Sequence, residues 1–336
     1  MAKKLSRSKK DKGKNADPVN QSKNKKLVIV IGLITLFLIV IETVFYFTKF
    51  IPPPVFFVQV THEINSAKEP CGPFTAWDVA ALGHSRLVVS DQAHDRILIF
   101  SRNGQFLNAF GVKGNKLPDE FQEPSAIQTT QSNHIWVIDC WNGLIKEFTS
   151  VGKNLFEVNL NNKGFYGPRG FYYNGKSFYI ADTGSHRIVK VSKSGTIESI
   201  WGKHGSAPGE FINPVAIASN HKDFFVTDAG NYRVQELNKY GKVIRIFKLK
   251  RRPSGVAVAN HGLLFVSSNG GGFIEAFNYL TGKFLGKLKP LGKSSSIFQG
   301  VLGLSMTPTG RLLAAVGGHI YEMNISPKIK VQSSNG

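Results

Sequence analysis

Three aspartate–arginine pairs recur in this 336-residue chain: Asp91 with Arg96, Asp182 with Arg187, and Asp228 with Arg233, the arginine always five positions later. In a cleft, such a pair offers a carboxylate base beside a cation. At a strand end, the carboxylate instead accepts N–H bonds from its own turn, and the arginine bridges to it or to a neighbouring segment. Recurrence in separate segments favours the architectural role, because a catalytic centre needs its groups once. Of the nine histidines, His94, His134, His186, His221 and His261 fall in or beside turns and read as solvated turn residues. A three-histidine zinc site needs its ligands to converge within about 2.1 Å of one ion, and the spacing gives no sign of that. No nucleophile elbow, H-E-x-x-H motif or phosphate loop is present. Cys71 and Cys140 could pair outside a reducing compartment, and a disulfide and two free thiols both stay open.

The elements that must position these residues are short strands. Phe178 to Gly202 reads as three in succession, broken by a Thr-Gly-Ser-His turn and by Ser194-Gly195. Strands this short, joined by turns this tight, are neighbours in one antiparallel sheet. The same unit recurs, each copy opened by an apolar run starting near Ala76, Pro124, Pro168, Pro214, Pro253 and Val301, at steps of 48, 44, 46, 39 and 48 residues. Four strands per period of roughly 40–50 residues predict an all-β, six-bladed propeller. The last unit, ending at His319 to Met323, lacks an obvious fourth strand. Residues 55–61, Val-Phe-Phe-Val-Gln-Val-Thr, are expected to fill that place and close the ring, with Lys328 to Val331 as the competing segment.

The pattern of a proline-led apolar run, a strand ending Val-x-Asp, four residues, Arg-Ile, a glycine turn and a run closing on Phe-Gly or Trp-Gly resembles the NHL repeat. The links Phe110-Gly111 to Pro124 and Trp201 to Pro214 are similar to those of that family, and the likeness covers about residues 71–325. Some NHL-like propellers, the peptidyl-hydroxyglycine amidating lyases, hold zinc with histidines facing the central channel. The matching positions here are Trp77, Ser125, Arg169, Val215, Ser254 and Leu302, none of them histidine. Propeller lactonases carry a carboxylate-rich channel; of these positions and their neighbours, only Asp78 is acidic. No metal or cofactor is therefore expected. Trp77, Asp78 and Arg169 are the candidate binding residues of the channel mouth, with Lys248, Lys250, Arg251 and Arg252 as a neighbouring basic patch.

Charge and topology bear on partners. Residues 1–26 hold ten Lys or Arg against Asp11 and Asp17, and are expected to be a disordered tail. Residues 27–48 are apolar apart from Glu42; as a helix they span about 33 Å, enough for a bilayer core of about 30 Å. With the cations before this run, the positive-inside rule predicts a single-pass anchor with the N-terminus cytoplasmic. A proline-rich linker, residues 49–54, leads to the propeller at 55–325, and residues 326–336 read as a flexible tail. The region after residue 26 carries 32 Lys or Arg against 20 Asp or Glu. On the outer side of a membrane, this basic surface suits a protein partner or an anionic envelope polymer through electrostatic attraction, and nucleic acid is not expected there. Two functions follow from different classes: a membrane-tethered binding or assembly module, or an extracytoplasmic lyase or hydrolase with its site in the channel. An inverted topology would bring nucleic-acid binding back.

Overall fold

The computed structural model describes residues 32–40, 42 and 55–325, and divides the chain into two units, residues 1–52 and 53–336. In the first unit, residues 32–40 are helical. Among the described residues no helix is long and apolar enough to cross a membrane. Most of the expected 27–48 span, the 1–26 tail, the 49–54 linker, the 326–336 tail and the alternative closing segment Lys328 to Val331 lie outside the described residues.

The second unit is all-β and a propeller. Four separate four-stranded antiparallel sheets follow one another along the chain. The first is made of Ala76–Leu82, Arg86–Asp91, Arg96–Ser101 and Phe106–Phe110 in spatial sequence. Its middle strands are buried on both faces, which explains why Leu-Val-Val and Ile-Leu-Ile-Phe run without polar interruption. The outermost strand is only partly buried, with Leu107 exposed. Turns between third and fourth strands carry glycine at positive φ, as at Gly152 (φ 89°) and Gly241 (φ 78°). A Cβ at those two sites would also strike Phe110 and Trp201 of the preceding sheet.

Apart from a short parallel ladder of Val112–Lys113 with Glu120–Phe121, the remaining strands form an eight-stranded sheet, which is two four-stranded halves joined edge to edge. Val55–Asn65 is the outer strand of the second half and pairs antiparallel with His319–Ile325, Val58 facing Ile325 and Asn65 facing His319. It is longer than residues 55–61. The same strand runs parallel to Phe284–Pro290 of the other half, Val55 opposite Lys287. The first strands of the units, Ala76–Leu82, Pro124–Thr129, Gly170–Tyr173, Pro214–Ser219, Pro253–Ala259 and Gly303–Met306, each pack on the next, and the last packs on the first. These inner strands surround a central channel. Apolar clusters fill the space between successive sheets, for example Trp136, Phe171 and Phe178 with Ile180 and Val189.

The aspartates at the ends of second strands are fully buried, and each accepts an N–H bond at 2.8 Å from the link that leads into its own inner strand: Thr75 to Asp91, Gln122 to Asp139, Tyr166 to Asp182 and Ile212 to Asp228. This corrects the expectation that the carboxylate caps its own turn. Nε of Arg96, Arg187 and Arg233 donates to the other carboxylate oxygen at 2.8, 2.9 and 2.7 Å. The rest of each guanidinium reaches carbonyls of the same link, namely Cys71 and Pro73, then Gly164, then Ser206, Ala207 and Glu210. In the second sheet, where the arginine is missing, Lys146 reaches in from two positions further along and pairs with Asp139 at 2.9 Å.

Of the turn histidines, His94, His221 and His261 are exposed as expected, and His94, His134 and His186 also make bonds that the solvated reading did not include. His94 bonds Asp91 at 2.9 Å, and His134 bonds Glu147 at 3.0 Å. His186 accepts from the backbone N–H of Asn213 in the next link at 3.0 Å, as Asp95 does from Glu123 at 2.8 Å. Both acceptors sit in the left-handed region, at φ 56° and 52°, so these cross-sheet bonds hold a backbone shape that non-glycine residues rarely adopt.

Removing one partner of a buried pair strands the other charge, at about 3–5 kcal/mol. Asp228→Ala leaves the charge of Arg233 without its carboxylate partner, and Arg233 Nε and the Ile212 N–H without an acceptor, so its denaturant midpoint is expected to fall by an amount in that range. Lys203→Ala, at an exposed ion pair with Glu210, leaves the midpoint in place. Equal shifts for the two variants count against the anchoring role.

Candidate functional site

The inner strands approach one another closely because they carry small residues where they meet. A Cβ on Gly170 would overlap the Val215 carbonyl, one on Gly255 would crowd the Leu302 carbonyl, and one on Gly303 would overlap the Asp78 side chain. Hydroxyls stitch neighbouring inner strands and links: Ser90 donates to the Ser125 carbonyl, Ser254 to Val301 and Ser305 to Val79, each at 2.6 Å, and Thr183 to Pro214 at 2.7 Å. The result is a narrow, rigid channel of about 250 Å³ lined by Trp77, Asp78, Arg169 and backbone-rich segments. At one end it widens to a mouth of about 570 Å³.

Residues at that mouth come from two kinds of loop: the links entering inner strands, and the turns after second strands. Arg169 lies over the Trp77 ring, its guanidinium carbon 5.0 Å from the centroid, and its Nη2 is 4.0 Å from a Glu123 carboxylate oxygen. Arg169 is the outer neighbour of Gly170, so its backbone position is set by that tight inner-strand contact. Trp141 and Tyr166 complete the rim edge to face, ring centroids 6.2 Å apart, and remain 44% and 64% exposed. Gly184 leaves room for the Tyr166 ring. Arg252, Asn213 and Asn269 also line the mouth. A partly exposed cation held over an indole, with aromatics and amides beside it, can stack a planar group and neutralise an anion at once.

Asp78 lies deeper. It keeps some contact with the lumen, yet protein surrounds its carboxyl, and that desolvation pushes its pKa up to about 7. Two N–H bonds, from Val79 at 2.9 Å and from Ile127 of the next inner strand at 3.1 Å, oppose the rise without cancelling it. A carboxyl titrating near neutrality inside a channel can give or take a proton. The same two bonds make it a clamp between the first two inner strands.

Of the expected channel positions, Trp77, Arg169, Val215, Ser254 and Leu302 line the channel, its mouth or both, whereas Ser125 is fully buried behind the lining. The basic patch is not brought together at the mouth. Arg252 is there; Arg251 turns to the Gly270 carbonyl at 3.3 Å, and Lys248 ends an outer strand, exposed. Cys71 and Cys140 are free thiols. Cys140 sits buried below the mouth, and burial raises its pKa to about 11. The sequence reading missed Trp141, Tyr166 and Glu123. Trp141 follows two residues after the strand-end Asp139, a position that the repeat itself places at the mouth. Among the described residues, no group of three or more His, Cys, Asp or Glu side chains could hold a metal ion.

No protein-family profile matches the chain, and no curated protein matches it by sequence. Solved structures do match in fold. A streptogramin B lyase aligns over 79% of this chain and 97% of its own at 14% identity, with a TM-score of 0.55. A catalytically inactive variant of virginiamycin B lyase from Staphylococcus aureus, solved with quinupristin, aligns over 82% of this chain and 95% of its own at 16% identity and TM-score 0.57. A protein of unknown function from Bacteroides thetaiotaomicron aligns over 80% and 76% at 12% identity and TM-score 0.58. At these identities the likeness shows the propeller fold and nothing finer.

Two predictions follow from the burial of these groups. The folded pKa of Asp78 lies above its unfolded value, so its penalty is absent below the ordinary carboxyl range and complete above about 7. Between those limits the wild type loses stability, relative to Asp78→Asn, by an amount on the order of a few kcal/mol; parallel stability–pH curves for the two proteins would refute this. Alkylation of the native chain followed by mass spectrometry is expected to modify Cys71 and spare Cys140 until denaturant is added. Equal native labelling contradicts the buried placement.

Proposed function

We propose that this chain is a membrane-anchored binding or assembly module: a six-bladed, NHL-type propeller, closed by its N-terminal strand, that presents its channel mouth on the extracytoplasmic side. The ligand class is a protein segment or an anionic envelope polymer. The observation that carries this reading is the Arg169 guanidinium lying 5.0 Å over the Trp77 ring at an open mouth, with Trp141 and Tyr166 exposed beside it. Exposed aromatics and an aromatic-stacked arginine are the side chains that most often dominate binding energy at interfaces. The anchor is supported by the apolar run at residues 27–48 and the ten preceding cations. The NHL assignment is supported by the Asp-x-x-x-x-Arg repeat and the link it anchors.

A second reading is favoured by Asp78. A carboxyl with a pKa near 7 in the channel, in a fold shared with solved lyases, suits an acid–base role in a lyase or hydrolase. The two readings part at different residues. In cross-linking and affinity capture from native membranes with the full chain, Arg169→Ala and Trp77→Ala are expected to reduce partner recovery roughly tenfold or more, with thermal stability unchanged. Asp78→Asn should leave recovery intact. Recovery that survives both mouth substitutions but turns into accumulated, unprocessed ligand with Asp78→Asn would replace the binding module with the enzyme.

A further inference from the structure

The two ends of the propeller differ in charge. The mouth end carries Glu69, Asp119, Glu120, Glu123 and Glu210 interspersed among its cations. The opposite end is built from the turns between first and second strands and between third and fourth strands. Those turns hold one carboxylate, Asp223, and it is buried. They expose Lys153, Lys176, Lys222, Lys239, Lys242 and Lys283. Between these lysines, three third-to-fourth-strand turns raise an apolar or aromatic side chain into solvent just before the glycine bend: Val151 at 67%, Tyr240 at 75% and Leu280 at 65% exposed. They belong to three different sheets, so they are spread around the rim.

This is also the end where the described part of the second unit begins and finishes. Val55 lies opposite Lys287, shortly after the turn that holds Leu280 and Lys283, and Ile325 pairs beside Val58. We propose that this basic face docks on an anionic lipid surface, the lysines meeting headgroups and Val151, Tyr240 and Leu280 entering the interfacial layer. Lysines near an anionic leaflet add attraction residue by residue, and partly exposed apolar or aromatic tips suit the headgroup boundary. The choice of a bilayer over another polyanion rests on reading residues 27–48 as a membrane span. The six residues between that run and Val55 reach at most about 20 Å, which keeps a bilayer within range of this face.

The test uses the full chain in vesicles of phosphatidylcholine with or without phosphatidylglycerol. With Cys71→Ser, and Cys140 buried, an environment-sensitive dye is placed at Tyr240→Cys, at Leu280→Cys, or at Lys116→Cys on the mouth end as control. The dye at 240 and 280 is expected to shift to the blue and be quenched by spin-labelled lipid only with phosphatidylglycerol, while the dye at 116 stays silent. Changing Lys153, Lys239, Lys242 and Lys283 to Glu should weaken the response roughly a hundredfold in lipid dependence. Alkaline extraction, run in parallel, reports on the span. A chain that stays embedded with silent dyes overturns the docking face and keeps the span. A chain that is extracted, yet responds to phosphatidylglycerol vesicles, keeps the docking face and overturns the span. Equal responses at 240 and 116, or a response to soluble polyphosphate or RNA as large as that to the vesicles, overturns the proposal.

Discussion

The propeller depends on a buried carboxylate that holds a loop in place. At the end of each of four second strands, an aspartate takes one N–H from the link entering the sheet, and a cation fastens its other oxygen. Without that bond the link would carry unsatisfied polar groups beside an apolar core, at a cost of the order of 1–3 kcal/mol each. With it, the inner strand starts at a fixed point. The channel lining inherits that precision: Trp77 stands two residues after Thr75, and Arg169 three after Tyr166.

That dependence separates what was legible in the chain from what was not. The repeat period, the strand pattern and the Asp–Arg spacing were readable because each is local and written several times. The positions facing the channel were readable for the same reason, since Trp77, Arg169, Val215, Ser254 and Leu302 occupy one register of the repeat. The direction of the aspartate bond was not, because Asp91 and Thr75 are 16 residues apart and nothing local names the partner. Lys146 replacing an arginine from two positions away likewise depends on both side chains pointing to one face of a strand, which shows only once the sheet is built. The rim pair Trp141 and Tyr166 comes from two loops 25 residues apart in number, brought edge to edge by the fold.

Function is less determined than fold, for a physical reason. The same scaffold that fixes the mouth also leaves it open, so the groups there are free to meet a ligand in more than one way. Asp78 illustrates the tension. Its two N–H bonds make it a structural clamp, while its raised pKa gives it the proton affinity of an acid–base group. Arg169, held by stacking and by Glu123, has no comparable duty within the ring, which is why the mouth carries more of the argument than the channel floor.

Pairing of Val55–Asn65 with His319–Ile325 has a consequence for how the protein is made. Thr61 and Glu322, bonded across that seam, are 261 positions apart, so the ribosome completes one edge of the final sheet 261 residues before its partner. Every intermediate length of nascent polypeptide therefore exposes an unpaired apolar ribbon, and closure of so long a loop comes late and slowly. Shielding that ribbon during translation becomes a task for the cell rather than for the chain.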